Sequence, residues 1–360
     1  MRHSDCRPKD TNPTVSTAVT EITSKYLYSE VKDSKALTLK KGDRKMGFAF
    51  RHLGFALAIV TASGCSRGSS ATHAADTVNP TASSSPANPT PAAEATGAVA
   101  GGFRGFDSND YPGDANMATL HKTFAFAGYW LTNPPGENAN TWTGKRAVLR
   151  QQGWGFLALA NGRLDNDILK AQQKSGTSPA ELARKDAAVA IAAARSEGFP
   201  PHTIIFLDQE EGGILLEEQA AYLLAWTEAV ASSDYRPGVY ASGQPVPNGP
   251  GQTITTIEDI RAHVIKNHLH PIAMFDAQDA CPPAPGCTVN AKPLSSAGVI
   301  TLSPGGDLIA WQYSQSPRRP ELTRACASTY AADGNCYAPG VPTVLLDMDL
   351  ASSADPSHGR

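Results

Sequence analysis

The run Thr203-Ile-Ile-Phe-Leu-Asp-Gln-Glu-Glu-Gly-Gly213 carries the residues best placed to do chemistry. Side chains alternate along an extended strand, so Asp208 and Glu210 share one face while Gln209 and Glu211 take the other. Two carboxylates on one face at the end of a buried strand suit acid/base work on a glycosidic bond. The same tripeptide also caps helices or sits solvated in loops, so the elements around it decide.

Those elements alternate along the chain. The four apolar residues before Asp208, with Ile204 and Ile205 β-branched, predict a strand buried on both faces. Further strands are expected over 103–108, 124–131, 154–160, 239–242, 271–277, 308–314 and 343–350. Helices are expected after Asp114 and over 144–152, 215–232 and 257–268. The strongest helix signal is Ser178-Pro179, a serine cap with proline at the first position, and that helix stops at Gly198 and Pro200-Pro201. This order predicts an α/β fold of the (β/α)8 TIM type, with irregular cysteine-bearing loops in the last crossovers. A doubly wound open sheet is the alternative.

Barrels of that type place their sites at the C-terminal strand ends. There the sequence offers Asp107, Asn109, Tyr129, Trp130, Asp208, Glu210, Tyr240, Ser242, Asp276, Trp311, Gln312, Tyr313, Asp347 and Asp349. Carboxylates for proton transfer and rings for stacking on sugar faces compose a carbohydrate cleft. Singly, each has a plainer explanation, Asp107 as a turn cap and Tyr240 or Trp311 as core.

The formal charge of −3 is uneven: 11 of 31 basic and 6 of 34 acidic residues precede Cys65, which leaves 20 against 28, or −8. An acidic remainder has no electrostatic footprint for nucleic acid, and no glycine-rich nucleotide fingerprint is present. No ligand spacing points to a metal, and the expected chemistry needs no cofactor. Residues 1–45 are polar and rich in both charges, and read as an extension before a true start at Met46, or as a cytoplasmic tail. Residues 46–65 combine a basic flank, an apolar stretch and small residues before Cys65, the pattern of an export signal. Ala62-Ser63-Gly64-Cys65 resembles a bacterial lipobox, which implies cleavage before Cys65, a lipid on its sulfur and a membrane anchor facing the periplasm or cell exterior. Residues 66–101, rich in Ser, Thr, Ala and Pro, predict a disordered tether, leaving 102–360 as the folded, monomeric domain. In an oxidising compartment the pairs Cys281/Cys287 and Cys326/Cys336 are expected as disulfides, with free thiols or a zinc site as poorer fits.

Several segments together carry a family resemblance. Gly105-Phe-Asp-Ser-Asn-Asp-Tyr-Pro-Gly113, Asp208-Gln-Glu210, Gly238-Val-Tyr-Ala-Ser242, Trp311-Gln-Tyr-Ser314 and Leu346-Asp-Met-Asp349 fall in the order of the family-25 glycoside hydrolases, which are lysozymes. The run from Lys185 through Asp208, with Tyr235-Arg-Pro-Gly-Val-Tyr240, more closely resembles the bacterial glycoside-hydrolase-like family termed domain of unknown function 1906. The resemblance implies Glu210 as general acid and Asp208 as stabiliser of the developing sugar cation or of an oxazolinium. It further implies Asp107 and Asp347 as positioning or tuning groups, and peptidoglycan or a related amino-sugar polymer as partner. A non-catalytic glycan-binding or envelope-organising module on the same barrel is the alternative. The sequence departs from the lysozymes at Asp276, where they more often place an aromatic, and at Asp349, where they tend to have Asn.

Overall fold

A computed structural model describes residues 96–99, 102–279 and 307–360. The export-type stretch, Cys65, most of the tether, Cys281, Cys287 and the side chain of Cys326 lie outside the described residues. Eight strands form one closed ring: β1 (Gly102–Asp107), β2 (Phe126–Trp130), β3 (Gly155–Asn161), β4 (Ile204–Asp208), β5 (Arg236–Ser242), β6 (Ala273–Ala277), β7 (Leu308–Ser314) and β8 (Asp347–Ala351). Because β1 pairs with both β2 and β8, the sheet has no free edge, which rules out the open doubly wound arrangement. The result is a mixed α/β fold around a closed barrel. Ala98–Val99 pairs antiparallel with β1.

The last strand departs from the expectation. β1 to β7 run parallel, whereas β8 runs antiparallel to both its neighbours. The single strand expected over 343–350 is two: Val341–Leu345 forms a hairpin with Tyr337–Ala338, and β8 starts at Asp347. A parallel return needs a crossover that carries the chain back to the opposite end of the sheet, usually a full helix. Here the connection holds only the short helix Pro320–Thr323, a 3-10 stretch and that hairpin, so β8 enters the barrel from the end where β7 leaves it.

Six longer helices cover the strands: α1 (Asp114–Leu120), α2 (Arg146–Gln151), α3 (Asp165–Ser175), α4 (Pro179–Glu197), α5 (Glu217–Ala231) and α6 (Thr256–Asn267). α4 begins as its sequence predicts: Ser178 Oγ accepts from Glu181 N, Glu181 reaches back to Ser178 N, and left-handed Gly198 ends the helix. Its buried stripe of Leu182, Ala183, Ala187, Ala190 and Ala194 is small enough to bring α5, with Tyr222, Leu223 and Trp226, close against it. α3, which sequence patterning missed, buries only Ile168 and so lacks an apolar stripe to detect. Among the described residues, no helix is long and apolar enough to cross a membrane.

The closing segment stoppers the end of the barrel opposite the strand C-termini. Ser357 pairs with Phe156 and Ile204 through its backbone, and its buried hydroxyl accepts from Ala158 N at 2.8 Å. Asp355 accepts from Phe156 N, and the buried Arg146 guanidinium donates to Gly359 O. Deleting residues 355–360 orphans several buried donors at about 1–3 kcal/mol each. A fall of roughly 10 °C or more in the melting midpoint, followed by circular dichroism, is the expected result.

Candidate active site

Strand alternation sorts the residues at the barrel mouth. Asp107 ends β1 and Asp208 ends β4, while Asp347 opens β8 directly opposite Asp107 in register. Asp347 reaches the mouth because its strand is reversed; in a parallel eighth strand it would lie lower. A Cβ on Gly128 of β2 would fall 2.5 Å from Cβ of Asp107, so only glycine there leaves room for this carboxylate-bearing strand end. Beyond Asp208, Gln209 turns away and donates to Glu211 O, while Glu211 accepts from Asp165 N at 2.7 Å and Gln219 Nε2 at 2.6 Å. Glu211 therefore tethers the starts of α3 and α5, and Glu210 is left facing the mouth.

Asp107, Asp208, Glu210 and Asp347 line one pocket with Asn109, Trp130, Tyr240, Gln312 and Gln315, over a floor of Leu159 and Phe275. The well is narrow, about 60 Å³. It opens into a broader groove of about 730 Å³ that shares Asn109, Glu210, Gln315 and Asp347 with it. A chain of amides and one phenol fixes the wall. Gln312 Nε2 donates to Asp107 Oδ2 at 2.9 Å, Tyr240 OH donates to Gln312 Oε1 at 2.8 Å, and Gln315 Nε2 donates to both of those oxygens at 2.8 Å. Ser316 N donates to Asp347 Oδ1 at 2.5 Å. Asp208 and Glu210 hydrogen-bond each other, and Oδ1 of Asp208 is buried with no partner.

Residues 121–278 match the model of the Rv2525c-like, glycoside hydrolase-like domain. The match covers less than half of the chain. It spans β2 to β6 and so includes Asp208, Glu210 and Tyr240, with Asp107, Gln312 and Asp347 outside it. The chain is also similar to three solved structures. An uncharacterized B. stearothermophilus protein is 18% identical, with TM-score 0.44, over 69% of this chain and 96% of that one. The Mycobacterium tuberculosis Tat-secreted protein Rv2525c, in complex with L-tartrate, is 14% identical, with TM-score 0.41, over 70% and 95%. The catalytic domain of endolysin ply40 from bacteriophage P40 of Listeria monocytogenes is 14% identical, with TM-score 0.38, over 72% and 98%. No curated protein matches the chain.

Burial is the chief cause that lifts every carboxyl in the pocket above the ordinary range. Asp107 is pushed up to about 6, with hydrogen bonds from Gln312 and Asp349 holding it back. Asp208 goes well above its usual value through burial and then the charges of Glu210 and Asp107. Glu210 rises less, because Asp208 donates to it and the Arg319 cation favours its ionised form. Burial and the charge of Asp107 raise Asp347, and fully buried Asp349 follows for the same reasons. The Asp208–Glu210 pair thus titrates as a unit and holds its last proton more tightly than an isolated carboxyl would.

The barrel turns the other expected contacts elsewhere. Tyr129 is buried between Trp142, Phe156 and Phe199, and its hydroxyl donates to Glu197 Oε2 at 2.6 Å; its neighbour Trp130 faces the pocket instead. Gln312 faces in, so Trp311 and Tyr313 on either side face out, where Trp311 Nε1 donates to Gln278 O and Tyr313 OH to Met348 Sδ. Phe275 likewise faces in, and Asp276 packs against Gly243 outside the pocket. Asn109 and Trp130, named at the strand ends, line the well, and so do Phe275 and Gln315, which the strand-end expectation did not name. Phe275 was legible as the alternation partner of Asp276, whereas Gln315 lies past the end of β7 and carries no motif.

Asp276 yields a pH prediction. Burial pushes it up to about 7 against the opposing Arg261 charge and Gly243 N–H, and its Oδ1 has no partner. A raised carboxyl stabilises the fold while protonated, fully below the unfolded value of about 3.9, and that stability is lost as pH rises toward 7. Asp276→Asn should flatten the decline in denaturant midpoint between pH 4 and 7, by an amount on the order of a few kcal/mol. An unchanged pH profile in the variant would refute this.

Proposed function

We propose that this domain hydrolyses glycosidic bonds in peptidoglycan or a related amino-sugar polymer outside the cytoplasmic membrane. The observation that carries the reading is the hydrogen-bonded Asp208–Glu210 pair at the open end of a well whose other wall holds Asp107 and Asp347. A directly bonded pair is closer than the roughly 5–5.5 Å of a nucleophile and acid, and far closer than the 6.5–9.5 Å needed to seat a water between them. That spacing favours a course in which the substrate supplies its own nucleophile. Glu210, the partner nearer the groove, takes the shared proton and passes it to the leaving oxygen as the C1–O bond breaks. The acetamido oxygen of the same sugar closes on C1, and Asp208, left anionic, balances the charge of the oxazolinium. Water then opens that ring, with Glu210 taking the water's proton. Asp107, Tyr240 and Gln312 hold the sugar and Asp347 tunes the pair.

The barrel is read as a (β/α)8 type whose final crossover has been replaced by a hairpin. In the same reading the chain is exported and lipid-anchored through Cys65, residues 66–101 act as tether, and disulfides Cys281–Cys287 and Cys326–Cys336 pin the last loops. The test is incubation of the full chain and a Glu210→Gln variant with purified peptidoglycan. Soluble muropeptides from the parent alone support the proposal. Sedimentation of both with the polymer and release by neither would turn it into a glycan-binding module.

A further inference from the structure

A further pocket, of about 580 Å³, shares no lining residue with the well or its groove. Side-chain alternation places it. Trp130 and Leu159 line the well, so their successors Leu131 and Ala160 face out of the barrel, where they floor this pocket beside Trp226 of α5. The strands β2 and β3 therefore stand between the two spaces.

The pocket wall offers hydrogen-bonding groups that the fold does not use. The side chains of Asn133, Thr143 and Asn161 make no hydrogen bond among the described residues, although Asn161 is half-buried. Arg163 sets Nε and Nη2 on Asp186, whose Oδ2 also accepts from the Tyr222 hydroxyl at 2.8 Å, and leaves Nη1 to the pocket. Both carboxylates on the wall are paired, Asp186 with Arg163 and Asp167 with Lys170. The apolar surface is aliphatic: Val189 is 59% exposed, whereas Trp226 is 1% exposed and presents no ring face for a sugar to stack on. Carboxamides that can donate and accept, set over small aliphatic groups, suit a peptide chain: its N–H and C=O groups pair with the amides and its short side chains lie on Val189 and Leu131.

Resting on the reading of the polymer as peptidoglycan, we propose that this pocket binds the peptide branch of the polymer while the well takes the sugars. Its volume lies within the roughly 300–1,000 Å³ of sites that enclose a drug-sized ligand, enough for a short run of small residues. A peptide seated there, on the outer side of β2 and β3, adds affinity without touching the carboxylates.

Calorimetric titration of the full-length Glu210→Gln protein with soluble peptidoglycan strands, intact or stripped of peptide by an amidase, tests this. Intact strands should bind at least about fivefold more tightly. Val189→Arg, which sets a long side chain across the pocket from an exposed position, should abolish that preference and leave the affinity for stripped strands unchanged. Ala188→Arg adds the same charge at an exposed neighbour outside the pocket lining and should leave the preference intact. Unchanged circular dichroism verifies folding of both. Equal binding of the two strand types, a preference that survives Val189→Arg, or one lost equally with Ala188→Arg overturns the peptide site even where the parent releases muropeptides. The expected preference together with no release by the parent upholds the site and overturns cleavage alone. Binding of neither strand type, with no release, overturns both proposals.

Discussion

Glu210→Gln should lower turnover of an amino-sugar polymer by about 10³-fold while leaving glycan binding within a few-fold of the parent. The amide keeps the shape and hydrogen-bonding capacity of a protonated carboxyl but cannot release its proton. Glu210 reaches from the deep pair toward the groove, so the loss falls on kcat, not on KM. Steady-state kinetics on a soluble N-acetylated oligomer separate the two. A variant with equal loss in binding would make Glu210 a contact residue and leave the proton donor unidentified.

Asp208→Asn should act on function and stability in opposite directions. Turnover is expected to fall by roughly 10²–10³-fold, because the amide cannot balance the charge of the oxazolinium. Stability is expected to rise by about 1 kcal/mol, more at pH 8 than at pH 5. The sign follows from the raised carboxyl: the parent loses stability as pH climbs through the folded-state value, and the amide does not titrate. Melting curves at the two pH values, beside kinetics, read both effects. Loss of activity with loss of stability would mean that Asp208 serves the fold.

The Asp208–Glu210 face was legible because one rule sufficed, the alternation of side chains along a strand that its apolar run made unmistakable. The same rule misled where it was applied to strand ends instead of to faces. Tyr129, Trp311, Tyr313 and Asp276 sit at the right height, yet each neighbours the residue that turns inward. Composition could not phase those strands, since both faces are largely buried. Asp347 was placed at the mouth by a correct position on a wrongly directed strand. The reversal of β8 depends on a short helix and a hairpin in the last connection, where proline and cysteine obscured the local pattern. The Ser357 stopper lay in a polar tail with no periodicity, and its role comes from backbone groups that every residue has.

The account turns on Asp208 and Glu210 acting as one close pair with the substrate's acetamido group as nucleophile. Proton NMR of the parent protein with an N-acetylated oligomer, recorded before mutarotation, reads the anomeric configuration of the newly freed reducing end. The predicted result is the configuration of the bond that was cut, absent when Glu210→Gln replaces the parent. An inverted anomer, or no new reducing end from the parent, would contradict the mechanism.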